Sequence, residues 1–248
     1  MKIIFSFFLL FLGSNPLWAK TEITIVAASS LTDTLTKLVK IYEHKHSVKI
    51  SLSFDSSARL ARQIKEGAKA DPFFSADKEW TLLLEKENFI LPQHSTDLLS
   101  NQLVVIAHRS SSLKLNTFSA LGDLPLKTLC MGFGTSPVGK YGYEALNKAQ
   151  IFSKVSSKIV HGENARHVLE WVAKNEADAG IVFLTDARSE PRVKVLWQIP
   201  KDLHSQVIYP LSLIGKNPSP ASLKLSQFLK SEEAKKVFEE GGFTVFHP

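Results

Sequence analysis

Two serine pairs stand where a small anion could be held. Ser29-Ser30 lies in Ala27-Ala28-Ser29-Ser30-Leu31-Thr32-Asp33, after the apolar run Ile23-Thr24-Ile25-Val26. Ahead of it, Leu31, Leu35, Leu38, Val39 and Tyr42 recur at helical spacing. Ser56-Ser57 repeats the arrangement. It follows the alternating run Val48 to Phe54 and opens a helix with Leu60, Ala61 and Ile64 on one face. A helix start exposes unpaired N–H groups and the positive end of the helix dipole. Small hydroxyl residues there add O–H donors and let a ligand come close, so an anion can be bound without Lys or Arg. Ser30 by itself is more simply an N-cap, with Asp33 as its capping-box partner. The repetition turns the reading toward a ligand.

Two further helix starts carry small residues. Gly132-Phe133-Gly134-Thr135-Ser136-Pro137-Val138-Gly139-Lys140-Tyr141-Gly142 follows a strand over 128–132 and opens a helix. Gly134 to Lys140 fits G-x-x-x-x-G-K, but a P-loop needs Ser or Thr next, where this chain has Tyr141. Pro137 also removes one N–H from any phosphate cradle, so a nucleotide site is rejected and a backbone anion site is kept. Gly162-Glu163-Asn164-Ala165-Arg166 precedes a fourth helix marked by Val168, Leu169, Val172 and Ala173.

The elements that must position these turns alternate strand with helix, which argues an open α/β sheet with the ligand at the carboxyl ends of the strands. Asp77 caps a helix carrying Trp80 and Leu84, and buried strands are expected at 101–107, within 176–187 after a helix end, and at 193–199. A strand over 207–214 contains Pro210, which suits a segment crossing between two lobes. A helix pair over 219–242 ends at the Gly241-Gly242 cap signal, and 243–245 closes the chain as a strand.

Residues 1–19 have the form of an export leader: Lys2, an apolar stretch from Ile3 to Leu12, a Gly-Ser-Asn-Pro break and Ala19 before the cut. The remaining chain of 229 residues has 29 basic and 24 acidic residues, scattered without aromatic interleaving. That excludes a nucleic-acid footprint. Cys130 is the one cysteine, so no intramolecular disulfide forms, and its apolar neighbours suit a buried, inert thiol. His44 and His46 lack further partners in a ligand pattern and are read as a solvated helix end. No G-x-S-x-G elbow is present, and His161 is read as structural.

The chain resembles the periplasmic molybdate-binding proteins of bacterial molybdate ABC transporters, a type II solute-binding family. The resemblance runs over the whole chain after the leader. It is carried by Ala27-Ala28-Ser29-Ser30-Leu31-Thr32, Ser56 to Ile64, Gly67-Ala68-Lys69-Ala70-Asp71, Ser75-Ala76-Asp77, Pro137 to Tyr141, Asn175 to Phe183 and Gly242-Phe243-Thr244. It implies an α/β fold of two lobes, each a mixed, mostly parallel sheet flanked by helices. The expected division is 20–103 with 210–248 as the first lobe and 104–209 as the second, joined by two crossing segments. It implies that molybdate, and with it tungstate, is held by Ser30, Ser57, Val138, Ala165 and the residue at 183. The family usually has a Tyr at that last position, and this chain has Phe183, so one O–H donor is absent. The resemblance further implies an exported periplasmic monomer with no cofactor and no catalytic residues, which hands its ligand to an inner-membrane permease. A binder of sulfate, phosphate or a small organic acid remains the alternative, since Asp55 and Glu163 flank the donors and a protonated phosphate needs an acceptor. A secreted hydrolase is the more distant one.

Overall fold

The computed structural model describes residues 21–246, and the expected export leader lies outside the described residues. The chain opens with β1 (Thr21–Ala28), a 3-10 turn at Ser29–Leu31 and α1 (Thr32–Lys45). It continues through β2 (Val48–Asp55), α2 (Ser57–Lys65), β3 (Pro72–Phe74), α3 (Lys78–Lys86) and β4 (Ile90–Ser100). There follow β5 (Leu103–His108), β6 (Leu129–Gly132), α4 (Pro137–Lys148), α5 (Phe152–Val155), β7 (Ile159–Gly162), α6 (Ala165–Ala173), β8 (Ala179–Phe183), α7 (Leu184–Ser189) and β9 (Val193–Gln198). The chain ends with β10 (Ile208–Ile214), α8 (Pro220–Leu229), α9 (Glu232–Glu240) and β11 (Thr244–Val245).

These strands build two mixed sheets. The first has the order β11-β4-β10-β3-β1-β2 and the second β7-β6-β8-β5-β9. The alternation of strand and helix gives parallel pairing where it is regular, β1 with β2 and β3, and β6 with β7 and β8. The strands that follow each crossing break that rule. β10 runs antiparallel to both β3 and β4, and β5 antiparallel to β8 and β9. Parallel pairing is therefore a smaller share of each sheet than the alternation suggests. The chain crosses at 101–102 and 199–207, so Leu103 pairs in the second sheet, and Ile208 and Tyr209 in the first.

The packing follows from periodicity. Leu35, Leu38, Val39 and Tyr42 are the buried stripe of α1, at the spacing that lays one helical face on a sheet. β6 is buried throughout, including Cys130, whose thiol pKa is pushed up to about 12 by desolvation. The thiol is inert at neutral pH. β4 has no counterpart in the sequence reading: Ile-Leu-Pro-Gln-His-Ser-Thr-Asp-Leu-Leu-Ser is mostly polar, contains Pro92, and is largely half-exposed along its length.

Candidate functional site

Residues at or just past the carboxyl ends of β1, β2, β6, β7 and β8 line one cavity, and each strand leads directly or through a short turn into a helical segment. At three of these helix starts the capping side chain spends itself on inner amides and leaves an outer amide free. Ser56 caps α2, and its Oγ accepts from the N–H of Arg59, the third helical residue, at 3.4 Å. The N–H of Ser57, one of the two before it, is left over. Ser136 caps α4 and accepts from Gly139 N–H at 3.3 Å. Pro137 at the first helical position has no N–H, so Val138 presents the first amide of that helix. Asn164 caps α6, its Oδ1 accepting from Arg166 and His167 N–H at 3.0 and 3.1 Å. The amide of Ala165 precedes both. No protein acceptor takes the N–H of Ser57, Val138 or Ala165 among the described residues.

Gly139 shows how tightly this turn is built. A Cβ there would come within 2.0 Å of the Phe133 carbonyl oxygen and 2.4 Å of that of Gly132. The second glycine of the rejected P-loop pattern is thus required by the loop's own backbone.

Ser30 is not the N-cap that its position suggests. It sits inside the 3-10 turn, α1 starts two residues later, and no side chain caps either segment. Its Oγ instead lies 2.9 Å from the hydroxyl of Tyr209, on β10. Ser57 is fully buried, and its Oγ accepts the N–H of Ala76 at 2.9 Å.

Ser30, Ser57, Val138, Ala165 and Phe183 all line one cavity, with Ala28, Ser29, Asp55, Ser56, Ala76, Ser136, Pro137 and Asn164. The space open to the centre of a water-sized sphere is about 10 Å³. That is small, so the cavity favours a compact ligand over an extended one. The Phe183 ring stands edge-on to Tyr141 and Tyr209, with centroids 6.4 and 5.8 Å away. Tyr141 does not replace the absent hydroxyl, because its own O–H reaches the Ala76 carbonyl at 3.5 Å and it does not line the cavity.

The flanking carboxylates are occupied. Asp55 Oδ1 accepts from Ser56 N–H at 2.7 Å and from Asn164 Nδ2 at 3.1 Å, and Oδ2 lies 3.2 Å from Arg59. Glu163 is turned outward to Arg59 at 3.0 Å and does not line the cavity. His161 bonds the Tyr143 hydroxyl at 2.7 Å and stacks on Phe133, away from the site. The cavity therefore presents amides and hydroxyls with no unspent carboxylate.

Polar contacts tie the two sides of the cleft together. Asn164 reaches Asp55, Arg59 reaches Glu163, and Arg166 pairs with Asp33. Lys140 bridges Asp77 and Glu79 at 2.9 and 2.8 Å. Arg166 also lies 3.1 Å from Asp186, which is fully buried and has no well-directed hydrogen bond to either carboxylate oxygen. Desolvation raises the Asp186 pKa to about 6, against the opposing pull of Arg166.

Residues 23–244 match the family of bacterial extracellular solute-binding proteins. A Bacillus subtilis protein whose name describes an ABC transporter substrate-binding lipoprotein is 36% identical over 91% of this chain and 87% of its own length. The molybdate-binding protein ModA of Haemophilus influenzae is 34% identical, over 92% of this chain and 91% of its own. The solved periplasmic molybdate-binding protein of Azotobacter vinelandii superposes with a TM-score of 0.81 at 20% identity, covering 90% of this chain and 98% of the other. With two chains above 30% identity along nearly all their length, and the two-sheet fold enclosing a donor-lined cleft, this chain belongs to the bacterial extracellular solute-binding proteins. No helix among the described residues is long and apolar enough to cross a membrane.

Asn164, Ser136 and Tyr209 are the site residues that the sequence reading did not single out. An Asn or Ser immediately before a helix start is a capping signal in the sequence, so the first two were accessible. Tyr209 had no local signal.

Proposed function

We propose that this protein captures molybdate outside the cytoplasm and delivers it to the membrane permease of an ABC transporter. One observation carries the ligand class: a small cavity lined by backbone N–H and hydroxyl groups whose neighbouring carboxylates are already hydrogen-bonded. Such a cage suits an oxyanion that carries no proton at neutral pH. A hydrogen phosphate would place its proton against donors, and an unsatisfied buried polar group costs about 1–3 kcal/mol. The names of the Haemophilus and Azotobacter relatives support molybdate among the fully deprotonated tetrahedral anions.

In this reading Ser30 and Ser57 donate from the first sheet's side and Val138 and Ala165 from the second's. Phe183 closes the cage without a donor. Tungstate, of similar size and charge, is a second ligand. The protein acts as a periplasmic monomer released from the leader at residues 1–19, needs no cofactor and performs no catalysis. Calorimetric titration tests the assignment. Molybdate and tungstate should bind one to one, with sulfate and phosphate far weaker, and bound molybdate should raise the melting temperature by mass action. Equal affinity for sulfate refutes molybdate as the ligand. Turnover of acyl or phosphate esters refutes a purely binding role.

A further inference from the structure

We propose that Tyr209, fixed by Asn101, sets the direction of the Ser30 hydroxyl proton and so makes Ser30 a dedicated donor to the bound anion. This rests on the oxyanion reading of the cavity and adds to it a residue that does not line the cavity.

Asn101 is buried, and its Oδ1 accepts the N–H of Gln102 at 2.9 Å, which fixes which end of the amide is nitrogen. Its Nδ2, a donor only, faces Thr185 Oγ1 at 2.8 Å and the Tyr209 hydroxyl oxygen at 3.2 Å. Tyr209 is fully buried, and burial raises its pKa, so it keeps its proton. Having accepted from Asn101, Tyr209 has one hydrogen to place, and its other hydroxyl neighbour is Ser30 Oγ at 2.9 Å. The opposite polarity, with Ser30 donating to Tyr209, leaves the Tyr209 hydrogen buried without an acceptor, which is the costly arrangement. Tyr209 therefore donates to Ser30. The Ser30 hydrogen must turn elsewhere, and Ser30 lines the cavity.

Ser57 is set by the same logic. Its Oγ accepts the N–H of Ala76, which can only donate, so its own hydrogen is free for the cavity. The Ser30 and Ser57 hydroxyls are thus committed as donors before any ligand arrives. A hydroxyl that already accepts one hydrogen bond keeps one lone pair of its two, so it serves a protonated anion as an acceptor less well than a hydroxyl free to rotate. Tyr209 thus acts on selectivity as well as affinity.

The test is a mutant cycle read by calorimetry with molybdate, and with inorganic phosphate for selectivity. Tyr209→Phe should weaken molybdate about tenfold and narrow its preference over phosphate. In a Ser30→Ala background the same substitution should change neither quantity, because Tyr209 acts through Ser30. A purely structural role for Tyr209 predicts equal losses in both backgrounds, and that result, or an unchanged Tyr209→Phe, overturns the proposal. If Tyr209→Phe fails to fold, Asn101→Asp puts an acceptor where the donor stood, draws the Tyr209 hydrogen to itself and leaves Ser30 to donate to Tyr209, and it is run through the same cycle with the same two outcomes. Wild-type protein that binds sulfate but not molybdate overturns the ligand assignment alone, and the cycle is then read with sulfate. Wild-type protein that binds no oxyanion overturns both.

Discussion

Asn164 Nδ2 donates across the cleft to Asp55 Oδ1 at 3.1 Å while Asn164 Oδ1 caps the helix behind it. One amide therefore joins the two sides of the site and fixes the helix start that presents the Ala165 N–H. The two jobs can be separated. Asn164→Ser keeps a capping oxygen but cannot span to Asp55. Its melting temperature should stay near that of the wild type and its oxyanion affinity should fall. Asn164→Ala should lose affinity and also about 1 kcal/mol of stability from the lost cap. Thermal melts and titrations of both variants check this, and equal affinity in wild type and Asn164→Ser would remove the cross-cleft bond from the account.

Ser56 and Ser57 are neighbours with different expected phenotypes. Ser56 caps α2, so Ser56→Ala should cost about 0.5–2 kcal/mol of stability. Ser57 aims a hydroxyl hydrogen at the cavity. Ser57→Ala should cost about 1.5–3 kcal/mol of binding, the range for a hydrogen bond to a charged group. Ser57→Ala also orphans the buried Ala76 N–H and so lowers stability as well, so titrations paired with denaturant melts without ligand should show a large binding loss for Ser57→Ala and a stability loss with little change in binding for Ser56→Ala.

Phe183 lines the cavity where the resembled family carries a hydroxyl. Phe183→Tyr should add a donor to the bound anion and tighten molybdate by at most about one to two decades. Side-by-side titrations of wild type and variant measure it. Weaker binding by the variant would mean that the rings of Tyr141 and Tyr209 leave the new hydroxyl no productive direction.

Asp186 makes stability depend on pH. Its folded pKa of about 6 stands above the ordinary 3.8 because burial disfavours the charge. Arg166 opposes that rise, while Asp33 adds to it. The folded state binds the proton more tightly, so this contribution is full below the unfolded value and is lost as pH rises through about 6. The interval corresponds to about 3 kcal/mol. Asp186→Asn should flatten the stability profile between roughly pH 4 and 6. An unchanged slope in chemical melts would sink the assignment.

The local devices of the site were legible in the sequence. Strand, small residue and helix start repeat at Ser30, Ser57, Val138 and Ala165, and the cavity gathers all four with Phe183. Each is a short-range pattern, set by residues within one turn. What escaped was whatever depends on distant chain. Tyr209 lies 179 positions from Ser30, and no periodicity links them. The partner of Ser30 was out of reach for a related reason. A serine at a strand end is most simply a cap, and only the partner on β10 shows that its hydroxyl is engaged elsewhere. β4 was hidden because a long, half-exposed strand next to β10 and β11 can be polar and carry a proline.

β10 lies between β3 and β4 although more than a hundred residues separate it from either. The first sheet is therefore discontinuous in the chain, while every strand of the second lies within 103–198. A polypeptide emerging from an export channel amino end first presents β1, β2, β3 and β4 with the seam between β3 and β4 unfilled. It can complete the second sheet before the strand that fills that seam has arrived. Long-range pairings of this kind are slow and leave exposed edges that invite association. The same late strand carries Tyr209, so the anion site acquires its oriented serine only when the seam closes. Assembly of the first sheet and competence to bind are in this way a single event.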